Sequence, residues 1–103
     1  MYAVIFEVTP DPARAQEYFD LAAELRPELE KIDGFISIER FQSLADQERF
    51  VSLSFWRDEA AIAEWRGHPG HQAAQDAGKA GIFRDFRIRV AKVERDYALA
   101  DRI

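Results

Sequence analysis

The sequence of 103 residues has no cysteine, only five glycines and four prolines, and fewer basic than acidic residues. The absence of cysteine excludes disulfides, thiolate metal sites and thiol nucleophiles. No apolar run approaches the roughly 20 residues that a membrane-spanning helix needs. The first residues also lack the basic start and long apolar stretch of a signal peptide. These absences predict a soluble cytoplasmic protein.

The charge balance argues against two classes of partner. Fourteen Lys and Arg residues against nineteen Asp and Glu residues give a formal net charge of −5. Non-specific binding to nucleic acid needs a basic surface, and so does binding to anionic membranes. We therefore expect no nucleic-acid partner and no membrane partner.

Apolar residues make up 48% of the chain and aromatic residues 13%, with eight phenylalanines. This composition is typical of a folded globular domain and not of a disordered chain. A chain of this length corresponds to one domain with one modest core. We expect a single domain over residues 1–103, with its core over about residues 2–97 and a tail at residues 98–103.

The first half of the chain changes from a strand pattern to a helix pattern. Residues 2–9 are apolar on both alternating faces, which predicts a strand that is covered on both sides. Asp11 is placed to cap a helix over residues 12–32, whose apolar side chains recur at steps of three and four. Pro27 predicts a kink or a short second helix, and Gly34 suits a left-handed helix stop.

The second half repeats this order after a hairpin. The predicted elements are strands at residues 35–43 and 49–56, a helix capped by Asp58, a second short helix at residues 71–80, and a final strand at residues 83–97. The order βαββαβ predicts a ferredoxin-like α+β sandwich, in which helices cover one face of an antiparallel four-stranded sheet.

The alternation of the strands also predicts which side chains the helices cover. We expect the covered residues to be Val51, Leu53, Phe55, Phe86, Ile88 and Val90. The rings on the uncovered face would then be Phe35, Phe41, Phe50 and Trp56. An apolar patch of this size is unusual on a single soluble domain, so we predict a homodimer with an isologous interface.

Residues 54–74 hold both tryptophans and both histidines, and no other segment concentrates as much chemistry. Histidine accepts protons near neutral pH, and His71 begins a helix beside the expected pocket, so it is a candidate catalytic base. The alternative is a histidine at a helix start or on the surface. His68 precedes Pro69 and is either a turn residue or a substrate contact.

Two further residues are candidates for catalysis. Trp65 shares a helix face with Ile62, and either packs in the core or supplies a wall and an N–H donor to a pocket. Glu7 lies in an apolar strand, where burial would raise the pKa of its carboxyl and make it a usable base, although an edge position is the alternative. The candidate substrate-binding residues are His68, Ile62, Phe55 and Phe83.

Other kinds of site are not expected. His68 and His71 are spaced three residues apart, but Pro69 and Gly70 intervene and no third ligand is near, so we predict no metal site. The glycines do not form a nucleotide-binding loop. Arg87 and Arg89 are expected to pair with acidic residues such as Glu39 across the dimer, and binding of an anionic substrate is the alternative.

Several motifs resemble the antibiotic biosynthesis monooxygenase (ABM) family. They are residues 53–59 (LSFWRDE), the following Trp65 with His68-Pro69, and Gly34-Phe35 after a long helix. The resemblance covers roughly residues 2–97. It implies a dimeric α/β barrel with a pocket between sheet and helices in each subunit. It also implies oxygenation of a small aromatic, polyketide-like substrate by O₂, without metal or flavin.

The same resemblance includes a branch that binds and degrades haem. That branch uses an asparagine on the first strand, a helix tryptophan and an axial histidine on the next helix. Here only Trp65 matches, since Val4 takes the first-strand position and Ala74 or Gln75 the axial one. His71 lies one turn before Gln75. Haem binding or cleavage therefore stays an alternative, as does a non-catalytic dimer that binds a small ligand.

Overall fold

The computed structural model describes residues 1–101, apart from the side chain of Lys79. The last two residues of the expected tail lie outside this range. The elements in chain order are β1 (Tyr2–Pro10), a 3₁₀ turn (Pro12–Arg14), α1 (Ala15–Glu30), β2 (Phe35–Gln42), β3 (Phe50–Trp56), α2 (Glu59–Arg66), α3 (Pro69–Ala77), a π-helical turn (Gly78–Ile82) and β4 (Phe83–Lys92).

The four strands form one antiparallel sheet in the order β2-β3-β1-β4. β1 pairs with both β3 and β4, and β2 pairs with β3 at one edge. This arrangement confirms the predicted ferredoxin-like α+β sandwich. Within residues 1–101, none of the helices is both long enough and apolar enough to cross a membrane.

Local signals set the helix ends as predicted. The side chain of Asp11 accepts a hydrogen bond from the backbone N–H of Ala13 at 2.9 Å, and that of Asp58 accepts one from Ala61 at 2.9 Å. Gly34 has a φ of 92°, which only glycine adopts easily. The expected second helix at Pro27 is wrong, because α1 continues through it. Pro27 is exposed, so water can satisfy the carbonyl that its missing N–H leaves unpaired.

The last strand is shorter than predicted, and its partner explains the difference. β4 ends at Lys92 and not at residue 97. The backbone N–H of Val93 still donates to the carbonyl of Met1 at 2.9 Å. β4 pairs with β1, and Tyr2, the first residue of β1, lies opposite Lys92, so the regular pairing ends there.

The assignment of sheet faces was wrong for six of the ten residues, namely Val51, Leu53, Phe55, Phe35, Phe50 and Trp56. The helix-covered face carries Val4 and Phe6 of β1 together with Ser54 and Ser52, which lie opposite them on β3. By this alternation Phe50 and Trp56 also face the helices, and Phe35 packs against Trp56 at 5.3 Å between ring centroids. The residues on the opposite, open face are Ile5, Glu7, Phe41, Val51, Leu53 and Phe55. The placements of Phe86, Ile88, Val90 and Phe41 were correct.

The core consists of two groups of buried residues under the helices. One group is built around Leu29, Trp56 and Ile62, and the other around Val8 and Tyr18. Members of both groups border a single cavity between the sheet and the helices. The fold therefore leaves a space in the middle of its apolar layer.

Candidate active site

The cavity has a volume of about 380 Å³. Its walls are mostly apolar, with Val4 and Phe6 on the sheet side and Leu25 on α1. Phe86, Ile88 and Val90 of β4 line it as well, although each is more than 40% exposed. The cavity is therefore open along β4, where the helices leave the sheet uncovered. Pockets of this size and polarity suit a small apolar ligand.

The break between α2 and α3 positions His71 at the cavity. His68 caps α3, since its Nδ1 accepts a hydrogen bond from the backbone N–H of Gly70 at 3.0 Å, and Pro69 occupies the first turn. The ring of Trp65 lies against both imidazoles, at 5.1 Å from His68 and 5.0 Å from His71 between ring centroids. Trp65 and His71 line the cavity.

The environment of His71 keeps its imidazole neutral. Burial is the main cause that lowers its pKa from the ordinary value of 6.5, and repulsion from His68 and Arg66 adds to it. A neutral imidazole in an apolar cavity can accept a proton from a bound molecule without first losing one.

Other polar groups of the cavity come from the sheet and from α1, and Arg66 of α2 and Gln75 of α3 also border it. The indole Nε1 of Trp56 donates to Ser54 Oγ at 2.9 Å within the buried layer, and Ser52 lies beside it on the same face. Arg40 of β2 lies directly opposite Ser52. Its Nε donates to the hydroxyl of Tyr18 at 3.2 Å.

The structure brings four of the seven predicted site residues together. Those on the cavity wall are His71, Trp65, Ile62 and Phe83. His68 lies behind Trp65 and is not part of the wall, with its Nε2 3.6 Å from a carboxylate oxygen of Glu28. Ala74 and Gln75 also reach the cavity.

The expected positions of Glu7 and Phe55 are wrong. Both side chains lie on the open face of the sheet, because their strands alternate and the adjacent positions face the helices. Glu7 forms ion pairs with Arg49 and, at 2.8 Å, with Arg89. The hydrogen bond from Arg49 is the main cause that lowers the pKa of the Glu7 carboxyl, whereas a role as base depended on a pKa raised by burial. An ionised carboxylate held by two arginines is a poor base.

The sequence interpretation missed Arg40, Tyr18 and the two serines. Arg40 lies two residues after Ile38 in β2, so both side chains are on the same face of the strand. This spacing could have placed Arg40 once the face of β2 was known. Ser52 and Ser54 share a face with Phe50 and Trp56, and that face was predicted to be uncovered. Among residues 1–101, no group of three His, Asp or Glu side chains is placed to hold a metal ion.

Comparison with known proteins shows the family of this chain. The antibiotic biosynthesis monooxygenase family matches residues 1–77. A protein from Pyricularia oryzae named jasmonate monooxygenase ABM is 45% identical over 93 residues, which are 90% of this chain and 43% of that protein. The uncharacterised protein YqjZ of Bacillus subtilis is 39% identical over 62 residues, covering 60% of this chain and 53% of YqjZ. The chain thus spans about half the length of these curated relatives.

Solved structures show the same fold at low sequence identity. A structure from Deinococcus radiodurans that carries the same family name has a TM-score of 0.85 at 17% identity, covering 98% of this chain and 100% of that one. Rv0793 from Mycobacterium tuberculosis has a TM-score of 0.83 at 20% identity, covering 94% and 98%. From the family match and the 45% identical relative together, we conclude that this chain belongs to the antibiotic biosynthesis monooxygenase family.

Proposed function

We propose that this chain is a monooxygenase that binds a small, ring-containing apolar substrate in its cavity and uses no metal or flavin. The observation that carries the proposal is the position of the His71 imidazole on the wall of an apolar cavity beside the Trp65 ring, where burial lowers its pKa. Membership of the monooxygenase family supports the reaction class.

The reaction proposed needs only a proton acceptor and a dry site. His71 takes a proton from an acidic C–H group, and the resulting carbanion transfers electrons to O₂ and bonds to it as a peroxide. Protonation by the imidazolium and loss of water then convert the CH₂ group to a carbonyl group. One oxygen atom enters the product and the other leaves as water, so the substrate supplies all four electrons. The apolar walls support this chemistry because they exclude water from the reactive anion.

The residues of the cavity fit haem poorly. By the family resemblance, the position of the axial histidine in the haem-binding branch falls on Ala74 or Gln75, and both border the cavity with side chains that cannot replace imidazole. His71 packs on the Trp65 ring one turn earlier. We therefore propose no step that involves haem.

Oxygen uptake with anthrone- and phenol-type substrates tests this function. We expect the purified protein, without added metal, flavin or haem, to speed substrate-dependent O₂ consumption by about 10²- to 10⁴-fold over buffer, the range typical of acid–base catalysis. Jasmonate belongs in the panel because the 45% identical relative bears that name. Saturable ligand binding without any uptake would instead support a non-catalytic binding protein. Uptake only after addition of haem, with a Soret band, would support the haem alternative.

We also propose that a second copy of the chain covers the open face of the sheet. This face carries Val51, Leu53 and Phe55 on β3, and Phe41 on β2 is 45% exposed. A two-fold axis parallel to the strands would bring β2 of one copy opposite β4 of the other. Through the strand pairing, Glu39 of β2 stands level with Arg89 of β4, two positions from exposed Arg87, so the two edges of the face offer charges of opposite sign.

A charge on the open face tests the dimer. We expect Phe55→Lys to raise the dimer dissociation constant at least about a hundredfold, because burying an unpaired charge is costly. Sedimentation equilibrium of wild type, Phe55→Lys and the control Leu44→Lys would measure it, since Leu44 is fully exposed in a loop. A wild-type chain that is monomeric at all concentrations, or a control that dissociates equally, would contradict the proposal.

A further inference from the structure

The cavity contains one half-buried arginine, Arg40, whose charge is not balanced by a carboxylate within residues 1–101, whereas Arg66, which also borders the cavity, is exposed. Arg40 projects from the helix-covered face of β2 and lines the cavity half-buried. Within residues 1–101, no carboxylate lies within ion-pair distance of its guanidinium, and no acidic side chain borders the cavity. The chain has nineteen acidic residues and a net charge of −5, so the missing partner does not reflect a shortage of acids.

The neighbouring arginine provides a direct comparison. Arg26 also borders the cavity, but its Nε is 2.8 Å from Glu30 and its side chain is 47% exposed. Arg40 instead donates from Nε to the Tyr18 hydroxyl, and its guanidinium carbon lies 5.8 Å from the centre of the Tyr18 ring. Tyr18 is buried at 6% exposure, so it can hold the guanidinium in place. This contact orients Arg40 without neutralising it.

We infer that Arg40 recognises the carboxylate of a small apolar acid bound in the cavity. With Nε engaged by Tyr18, the two terminal nitrogens are left to donate side by side to both oxygens of a carboxylate. The Ser52 hydroxyl lies directly across from Arg40 on the same face and offers a further donor. The inference names the substrate class of the proposed oxygenase site, and it rests on that proposed function for the chemistry that follows binding.

A single carboxylate fits these observations better than a phosphate or a neutral ligand. A phosphate carries more charge, whereas Arg26 is already paired to Glu30 and Arg66 is exposed. A wholly neutral ligand would leave a half-buried guanidinium without an anionic partner, at the expense of its hydration. The apolar walls from Val4 to Val90 would hold the rest of the acid toward His71.

The test compares an acid with its uncharged ester. We expect naphthalene-2-carboxylate to bind the wild-type protein about 10- to 100-fold more tightly than its methyl ester, as charge-assisted hydrogen bonds to a fixed guanidinium would give. Arg40→Gln should remove this difference by lowering the affinity for the acid alone, while Arg26→Gln should preserve the difference in affinity. Isothermal titration calorimetry of both ligands, with no substrate turnover, would measure these affinities.

Equal affinity of the wild type for acid and ester would overturn the inference, as would failure of both to bind. An equal loss of affinity for acid and ester in a folded Arg40→Gln protein would also overturn the inference, since it would show that Arg40 has a structural role. The wild-type comparison needs no variant, so it decides the question even if Arg40→Gln fails to fold. Absence of oxygen uptake with acid binding intact would reject the proposed oxygenase and leave the role of Arg40 standing.

Discussion

Replacement of Trp56 by alanine is expected to lower the free energy of unfolding by about 3–5 kcal/mol, the range measured for loss of large aromatic side chains from protein cores. Trp56 is only 2% exposed, and it belongs to the same buried group as Leu29 and Ile62. Its ring also meets Phe35 edge to face. No neighbouring side chain can fill the space left by the indole, because the cavity already adjoins it.

Denaturant unfolding would measure this effect, with all proteins at one fixed concentration because association changes apparent stability. Leu44→Ala is the matched control, since Leu44 is fully exposed and its truncation should change stability by less than about 0.5 kcal/mol. Ser54→Ala should have an intermediate effect, because it leaves the indole N–H of Trp56 without an acceptor. A Trp56→Ala protein as stable as Leu44→Ala would show that the cavity wall is not part of the stabilising core.

Replacement of His71 by glutamine is expected to reduce kcat/KM for oxygen uptake by about 10²- to 10⁴-fold, the contribution of a positioned general base. Glutamine keeps a polar side chain of similar length but cannot accept a proton near neutral pH. His68→Asn is the matched control. His68 lies outside the cavity wall, and asparagine can take over its capping bond to Gly70.

The pH dependence of the same reaction provides a second measurement. The lowered pKa of His71 keeps the base neutral down to a pH below 6.5, so the acid limb of kcat/KM should lie below that value. His68→Asn removes the repulsion from His68, which is one of the smaller causes that lower the pKa of His71. The acid limb of kcat/KM should therefore move toward higher pH in this variant. The role of His71 would be rejected if His71→Gln kept both full activity and the wild-type acid limb.

The order of elements follows from the sequence because it depends on local rules. Hydrophobic periodicity changes from two to about 3.6 at each strand–helix junction. Asp11 and Asp58 mark helix starts through hydrogen bonds with near neighbours, and Gly34 marks the turn after α1 through its positive φ. Such signals need no knowledge of the rest of the chain. The end of β4 could not be obtained this way, because it depends on where its partner β1 begins.

The faces of β3 illustrate what periodicity cannot decide. One side of this strand carries Val51, Leu53 and Phe55, and the other carries Phe50, Ser52, Ser54 and Trp56. When both faces are mainly apolar, the alternation shows that there are two faces but does not show which one the helices cover. Ser52 and Ser54 were read as residues of the uncovered face. Both side chains are buried, with exposures of 6% and 5%, and both border the cavity under the helices.

The sequence pattern also predicted only part of the candidate site. His71 and Trp65 could be predicted because the helix break at Pro69 and the rarity of imidazoles single out their segment. Glu7 was predicted to be a base from burial alone. The structure shows that Arg49, which lies 42 positions away along the chain, donates a hydrogen bond to the Glu7 carboxylate. Arg40 was overlooked because a lone arginine in an edge strand reads as a surface residue until its tyrosine contact is known.

The alternation of side chains along the strands has a practical consequence for protein engineering. Side chains that face the helices stand at even-numbered positions over most of the sheet, among them Val4, Ile38, Ser54 and Ile88. The exceptions are Phe35 and Phe83, which lie at the two register shifts of the sheet. A combinatorial library restricted to even positions can therefore diversify ligand preference while every odd-numbered side chain is retained. The pleat itself separates the two design problems within one continuous backbone.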